Sequence, residues 1–354
     1  MNKEKDINNI KSSDHLKDYI NKINYKFKKN PNLKYKLNIT ETNSTFGVND
    51  IFEVYISYKD NKEYVASKNC NYNLDIFVLL DNKKIKSLKG HKNDILTIRY
   101  FINNKNMNEY LISGDDDKIV FIWDITDNYT IKYKIKTNYE RNNYIFSCLL
   151  MFPHFSNVDY IITSAVNNYS MTKIYSFNNG SFIKGIKDSK DVSYLLSWYN
   201  KNNNKYYIIQ FQKYFISINN LIENELYAKL CDENAYHDCG FIFNGKDNID
   251  YLYSPSETKN IIVWDLYNKT IFKVIGLKCN ITYIIQWNYK YIIITDCSNN
   301  SFKVIDLENN IIINNIIAST NNLKCIKKIK HPIYGEVLLT AGDDQKIKLW
   351  ILNI

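Results

Sequence analysis

The chain has 354 residues, 45% of them apolar, enough for a sizeable core, and a formal charge of +9. Most of that charge is local: residues 1–37 hold ten lysines against four acids, a net of +6, which leaves +3 for the remainder. Only Arg99 and Arg141 are arginines among 46 basic residues, which disfavours a reader of base sequence, because the guanidinium fork is the preferred bidentate partner of bases and phosphates.

No apolar run approaches the roughly 20 residues of a membrane span, and MNKEKDINNI lacks the apolar centre of a secretory signal. Seven scattered cysteines without a CxxC pair fit neither a disulfide framework nor a zinc knuckle, so the expectation is a reduced, intracellular protein, cytoplasmic rather than nuclear.

In chain order, residues 1–32 form a basic arm. Within it Leu16, Ile20, Ile23 and Phe27 recur at spacings of four, three and four behind Ser12, Ser13 and Asp14, the pattern of a short capped helix. Packing on the body, fraying, docking a partner and lying on an anionic membrane are all open to it. Next, LKYKLNIT at 33–40 sets Leu33, Tyr35, Leu37 and Ile39 against Lys34, Lys36, Asn38 and Thr40, the alternation of a half-buried outer strand.

A repeat follows. VFIWDI at 120–125 is echoed by IIVWDL at 261–266, KVIDL at 303–307 and KIKLWIL at 346–352, and more weakly by FVLLDN at 77–82, KIYSF at 173–177 and FISINN at 215–220. The aligned positions are Leu80, Trp123, Tyr175, Ile218, Trp264, Ile305 and Trp350, spaced by 43, 52, 43, 46, 41 and 45 residues. A second echo, VSYLLSWYN at 192–200 and ITYIIQWNY at 281–289, lies two periods apart. Each period reads as four short strands divided by Asn, Asp, Gly or Ser turns; in the second unit these are ILTIRYF, YLISG, KIVFIWD and IKYKIK. The pattern is that of an all-β repeat protein.

These units resemble WD repeats, which build β-propellers. The second unit carries the resemblance best, with Gly90-His91 before its first strand and Ser113, Asp117 and Trp123 at the family's offsets. The resemblance implies a buried hydrogen-bonded network of His91, Ser113, Asp117 and Trp123. An indole N–H, an imidazole and a hydroxyl taken from water each need a partner, at a cost of about 1–3 kcal/mol for each one missing.

The seventh unit has Thr340, Asp344 and Trp350 without a preceding His, the fifth has Ser254 and Trp264 with Thr258 at the Asp position, and the sixth has Thr295, Asn299 and Ile305. Asp115 and Asp116 read as turn residues beside Asp117, because no calcium-loop spacing follows them. The expected fold is a seven-bladed propeller over 33–354, its ring closed by strand 33–40 completing the last blade, since the chain ends just after the third strand of unit seven and a bare edge invites association.

Chemistry is sparse. Phosphate loops, GxSxG and HExxH are absent from the sequence, and the five histidines share no metal-ligand spacing. Catalytic, metal and cofactor-binding residues are assigned as none, and no small-molecule substrate is expected. His237 lies near Cys231 and Cys239, but nothing in the sequence orients a nucleophile pair.

The resemblance therefore implies a non-enzymatic scaffold, monomeric on its own, that binds protein or peptide partners. It places binding on the upper face, made by loops entering first strands and turns after second strands. The matching residues are Lys92, Asn93, Asp116, Tyr139, Arg141, Asp191, Tyr236, His237, Asp238, Asn280, Asn322 and Asp343. The other reading is a basic arm that binds nucleic acid or anionic membrane, with the propeller as platform.

Overall fold

The computed structural model describes residues 40–42, 52–69, 71–78, 83–103, 105–137, 144–151, 159–166, 171–186, 191–231, 239–245, 247–256, 259–277, 279–331, 335–342 and 347–351. The fold is an all-β propeller, and the described residues form seven four-stranded antiparallel sheets. Six are consecutive in sequence: one over 52–88, two over 95–136, three over 144–186, four over 194–231, five over 241–276 and six over 284–317. The seventh takes three strands from 323–351 and its fourth from the N-terminal side, where Thr40, Glu41 and Thr42 pair with Leu349, Lys348 and Ile347. The strand expected at 33–40 thus meets the observed pairing only at Thr40; residues 33–39 and the arm helix lie outside the described residues.

Sheet two shows how sequence becomes strand. Its members are Ile95–Asn103, Asn108–Asp115, Ile119–Asp124 and Thr130–Lys136. The second and third are buried almost throughout, whereas the fourth is largely exposed and lysine-rich. Two-sided burial explains the near-continuous apolar runs LIS and VFIW, and the outer position explains KYKIK. The core is distributed: one apolar cluster lies between each pair of successive sheets from one to seven.

A β-bulge recurs in the fourth strand of sheets one to six, opposite Phe77, Trp123, Tyr175, Asn219, Trp264 and Ile305 of the third strand. This mark corrects the repeat register in two units. Phe77 takes the place expected for Leu80, which lies outside the described residues, and Asn219 takes the place expected for Ile218. A slip of one residue turns a side chain to the other face of a sheet. Trp123, Tyr175, Trp264, Ile305 and Trp350 all pack toward the preceding sheet, whereas Ile218 packs toward the following one, with Leu252, Ile262 and Trp264.

The residue after the bulge-marked position closes the next turn. Asp265 Oδ1 accepts from the Tyr267 and Asn268 amides, Asp306 Oδ1 from Glu308 and Asn309, and Asn220 Oδ1 from Ile222 and Glu223. Asp124 and Ser176 accept one amide each, from Asp127 and Asn178. Four residues further on stands a left-handed residue in every case: Asn128, Gly180, Asn224, Lys269 and Asn310, with φ between 52° and 70°. Asn and Gly tolerate that conformation best, which accounts for part of the chain's asparagine content.

Candidate interaction face

In sheet two the indole Nε1 of Trp123 donates to Ser113 Oγ at 2.9 Å. Ser113 Oγ lies 2.7 Å from His91 Nε2, and His91 Nδ1 lies 2.6 Å from Asp115 Oδ2. The direction is dictated at both ends, since an indole only donates and a carboxylate only accepts. With a neutral imidazole, Ser113 donates to Nε2 and the Nδ1–H donates to Asp115. Asp115 Oδ1 accepts the Ile119 amide at 2.8 Å, which ties the network to the turn. Gly90 permits the approach, because a Cβ there would stand 3.0 Å from Phe121 and 3.2 Å from Trp123.

The acid differs from the one expected. The antiparallel register sets Asp115 opposite Ile95, at the buried end of its strand, beside the loop that carries His91. Asp117 lies out at the turn, exposed. Three adjacent aspartates offer one candidate each for the same role, and only the pairing of strands selects among them.

The Trp-to-hydroxyl link recurs in sheets five and seven. Trp264 Nε1 donates to Ser254 Oγ at 3.0 Å, and Trp350 Nε1 to Thr340 Oγ1 at 2.8 Å, each ten residues apart as in sheet two. In sheet six, where Ile305 has no N–H, Thr295 Oγ1 instead accepts the Tyr283 amide at 2.8 Å and pairs with the Thr282 hydroxyl at 2.8 Å. The hydroxyl is reassigned to the loop entering the first strand.

Antiparallel pairing brings the start of a first strand and the end of the second strand to one end of a sheet, as with Ile95 and Asp115 or Leu323 and Gly342. Hydrogen bonds join the two: the Asp116 amide donates to Asp94 O at 3.1 Å, and the Cys297 amide to Asn280 O at 3.0 Å. Of the residues expected on this face, Lys92, Asn280 and Asn322 are exposed, and Asn93, Asp116 and Asp191 are half-buried. Tyr139, Arg141, Tyr236, His237, Asp238 and Asp343 lie outside the described residues. Burial, with Asp115, Asp117 and Asp94 nearby, pushes the Asp116 carboxyl above the ordinary carboxylate range.

Cys239 is buried and its thiol donates to Thr282 O at 3.0 Å, whereas Cys231 is exposed. Among the described residues no group of His, Cys, Asp and Glu is placed to hold a metal ion.

Carboxylates at or beside the start of second strands do something the sequence reading missed: they reach the preceding sheet. Glu109 accepts Ser57 Oγ at 2.9 Å and the Tyr58 amide at 2.7 Å from sheet one, and the Tyr100 hydroxyl at 2.5 Å from its own. Asp159 takes the Lys105 amine of sheet two, and Asp250 takes Trp198 Nε1 of sheet four at 2.8 Å. The signal available in sequence is an acid directly before a Tyr at the head of each of these strands: EYL, DYI and DYL.

A WD domain, G-beta repeat family model matches residues 82–124, the stretch that contains the His91 network. Comparison with curated proteins finds no match. Among solved structures, one titled "Crystal structure of BBS1N in complex with ARL6DN, soaked with lead" is similar to this chain with a TM-score of 0.67 and 11% identity. That similarity covers 87% of this chain and 94% of the other. In all, 1450 solved chains are similar, so the likeness defines an architecture and singles out no activity.

Proposed function

We propose that this chain, a WD-repeat β-propeller protein, works as a non-enzymatic intracellular scaffold that binds protein or peptide partners on the face where first strands begin. The observation that carries the reading is the convergence, at one end of the sheets, of polar loops carrying Lys92, Asp116, Asp191, Asn280 and Asn322, those of sheet two fixed by the buried His91 network. Lys92 follows His91 directly, and Asp116 follows Asp115, so two residues of the face are held by two members of the network. Mixed charge suits a protein surface better than a polyanion. The buried carboxylates are engaged in holding the fold: Asp115 with His91, Glu109 with Ser57 and Tyr58, Asp296 with Lys303 at 2.6 Å.

The same proposal takes the platform to be a closed ring of seven blades with Thr40–Thr42 as its clasp. Support comes from a polar bridge between every two neighbouring sheets. Lys68 meets Asp94 at 3.0 Å between sheets one and two, and the Tyr133 hydroxyl meets Asn178 O at 2.6 Å between two and three. Thr172 meets Gln210 at 2.6 Å between three and four, and Trp198 meets Asp250 at 2.8 Å between four and five. Lys273 meets Leu307 O at 3.3 Å between five and six, Lys348 meets Ala318 O at 2.8 Å between seven and six, and Lys327 meets Glu53 at 2.8 Å between seven and one.

The test is an affinity capture from the source cells with wild type and a Lys92→Glu, Asn280→Arg, Asn322→Arg variant, both shown folded by circular dichroism. Loss of a defined set of proteins from the variant is the expected result. Identical sets would refute the assignment to this face.

A further inference from the structure

The outer strands of the seven sheets are not alike in charge. Those of sheets one and two, Lys83–Leu88 and Thr130–Lys136, hold three lysines each. Those of sheets three, four and five hold one each, Lys184, Lys229 and Lys273, and Thr40–Thr42 of sheet seven holds Glu41. Ile311–Ile317 of sheet six, IIINNII, holds no charge, and none occurs in sequence between Glu308 and Lys324. A charged side chain on an outer strand keeps its free N–H and C=O groups from pairing with another chain.

Ile311–Ile317 is the last strand of its sheet, so among the described residues its outer edge is unpaired. Its bulge lies at Ile313. Beyond that point Asn314, Asn315, Ile316 and Ile317 pair in unbroken register with Val304, Lys303, Phe302 and Ser301. This half keeps the regular backbone that a further strand needs, whereas the bulge bends the other half away. Ile313 and Ile316 are buried in the apolar cluster between sheets six and seven, which holds the strand in place. Asn315 is exposed, and Ile317, at 75%, is the most exposed large apolar side chain among the described residues.

We propose that this edge is a homotypic interface, along which Ile311–Ile317 of one chain pairs antiparallel with the same strand of a second copy. Charge selects the edge and the occupant. Two chains of +9 repel one another, and self-pairing along the outer strands of sheets one to five brings lysines together. Self-pairing along the sheet-six strand sets isoleucine and asparagine against each other in every register, with no like charges opposed. A two-fold axis between the paired strands makes the contact isologous, so it closes at two copies. The contact uses an outer edge and does not rest on the function proposed above.

The experiment is sedimentation velocity of the full chain across a concentration series. One strand pair buries less than a standard interface, so a monomer–dimer equilibrium with a Kd of about 10–100 µM is expected. Raising the salt from about 0.05 M to about 0.5 M should tighten it, because salt screens the repulsion between the two positive chains. Ile317→Lys and Asn315→Lys, both at exposed positions, should each weaken it about tenfold. Leu226→Lys adds the same charge at an exposed position on the outer strand of sheet four and should leave it unchanged. Circular dichroism confirms the fold of each variant, and Asn315→Lys keeps the test available should Ile317→Lys fail to fold. Four results overturn the proposal: a monomer up to about 0.5 mM, assembly beyond two copies, equal weakening by Leu226→Lys, or association that weakens as salt rises.

Discussion

Asp115, Asp116 and Asp117 are chemically identical neighbours with three different fates. Asp115 is fully buried and bonded to His91 and the Ile119 amide; Asp116 is half-buried; Asp117 is in water. Removing one partner of a buried charged hydrogen bond is far more costly than trimming a solvated side chain. His91→Ala and Asp115→Ala are each expected to cost about 3 kcal/mol, roughly 4 °C in melting temperature for a chain of this length. Asp117→Ala is expected to stay within about 0.5 kcal/mol. Calorimetry of the three variants checks this, and an equal loss in Asp117→Ala would restore the acid expected from the family's spacing.

Asp116 makes a pH prediction. Its carboxyl is raised in the folded state by burial and by the three neighbouring aspartates, so the folded chain binds its proton more tightly than the unfolded chain does. Stability then declines as pH rises from the ordinary carboxylate value through the raised one, and the ionised form is a liability at neutral pH. Asp116→Asn should raise the melting temperature by about 1–2 °C at pH 7 and lose that advantage below the unfolded value near 3.8. A pH series of thermal melts decides it; a gain that persists in acid would place its origin elsewhere.

At the scale of the strand and turn, the repeat is written in short-range chemistry. An Asp, Asn or Ser caps the turn after the third strand, and a left-handed residue follows four positions later. The turn after the second strand has its own left-handed site, five residues past the Ser or Thr: Lys118, Lys259 and Asn300. Lysine is strained there, and Lys259 is exposed. Lys259→Gly should therefore stabilise by about 0.5–1 kcal/mol, the relief of strain exceeding the added entropy of the unfolded chain. Denaturant melts that show a loss instead would mean the turn is held by the lysine side chain. The six fourth-strand bulges belong to this scale too. They twist the outer edges, lysine-rich in sheets one and two, away from flat pairing with another molecule.

For the whole molecule, stability rests on successive sheets burying apolar faces against each other, so the ends matter more than their size suggests. Among the described residues, Ile347–Ile351 has its outer edge covered by Thr40–Thr42. Deleting residues 1–43 bares that edge. The expected outcome is a lower melting temperature and concentration-dependent association in light scattering. A truncated chain that melts unchanged and stays monodisperse would show the clasp to be dispensable.

Much of this was legible in residues alone. Four-strand periods, the Trp-to-hydroxyl spacing of ten, and Gly90-His91 are local patterns, and local patterns survive in a one-dimensional record because they arise from backbone geometry over a few positions. Seven periods could be counted, but two were misaligned, Leu80 for Phe77 and Ile218 for Asn219, because the apolar runs there fit either face. The bulge that settles the register is a property of paired strands. Tertiary structure alone selected Asp115 over Asp117 and sent Glu109 and Asp250 to the sheets before them. Each of these depends on which residue stands opposite another across a ladder or between sheets, a distance the sequence does not contain.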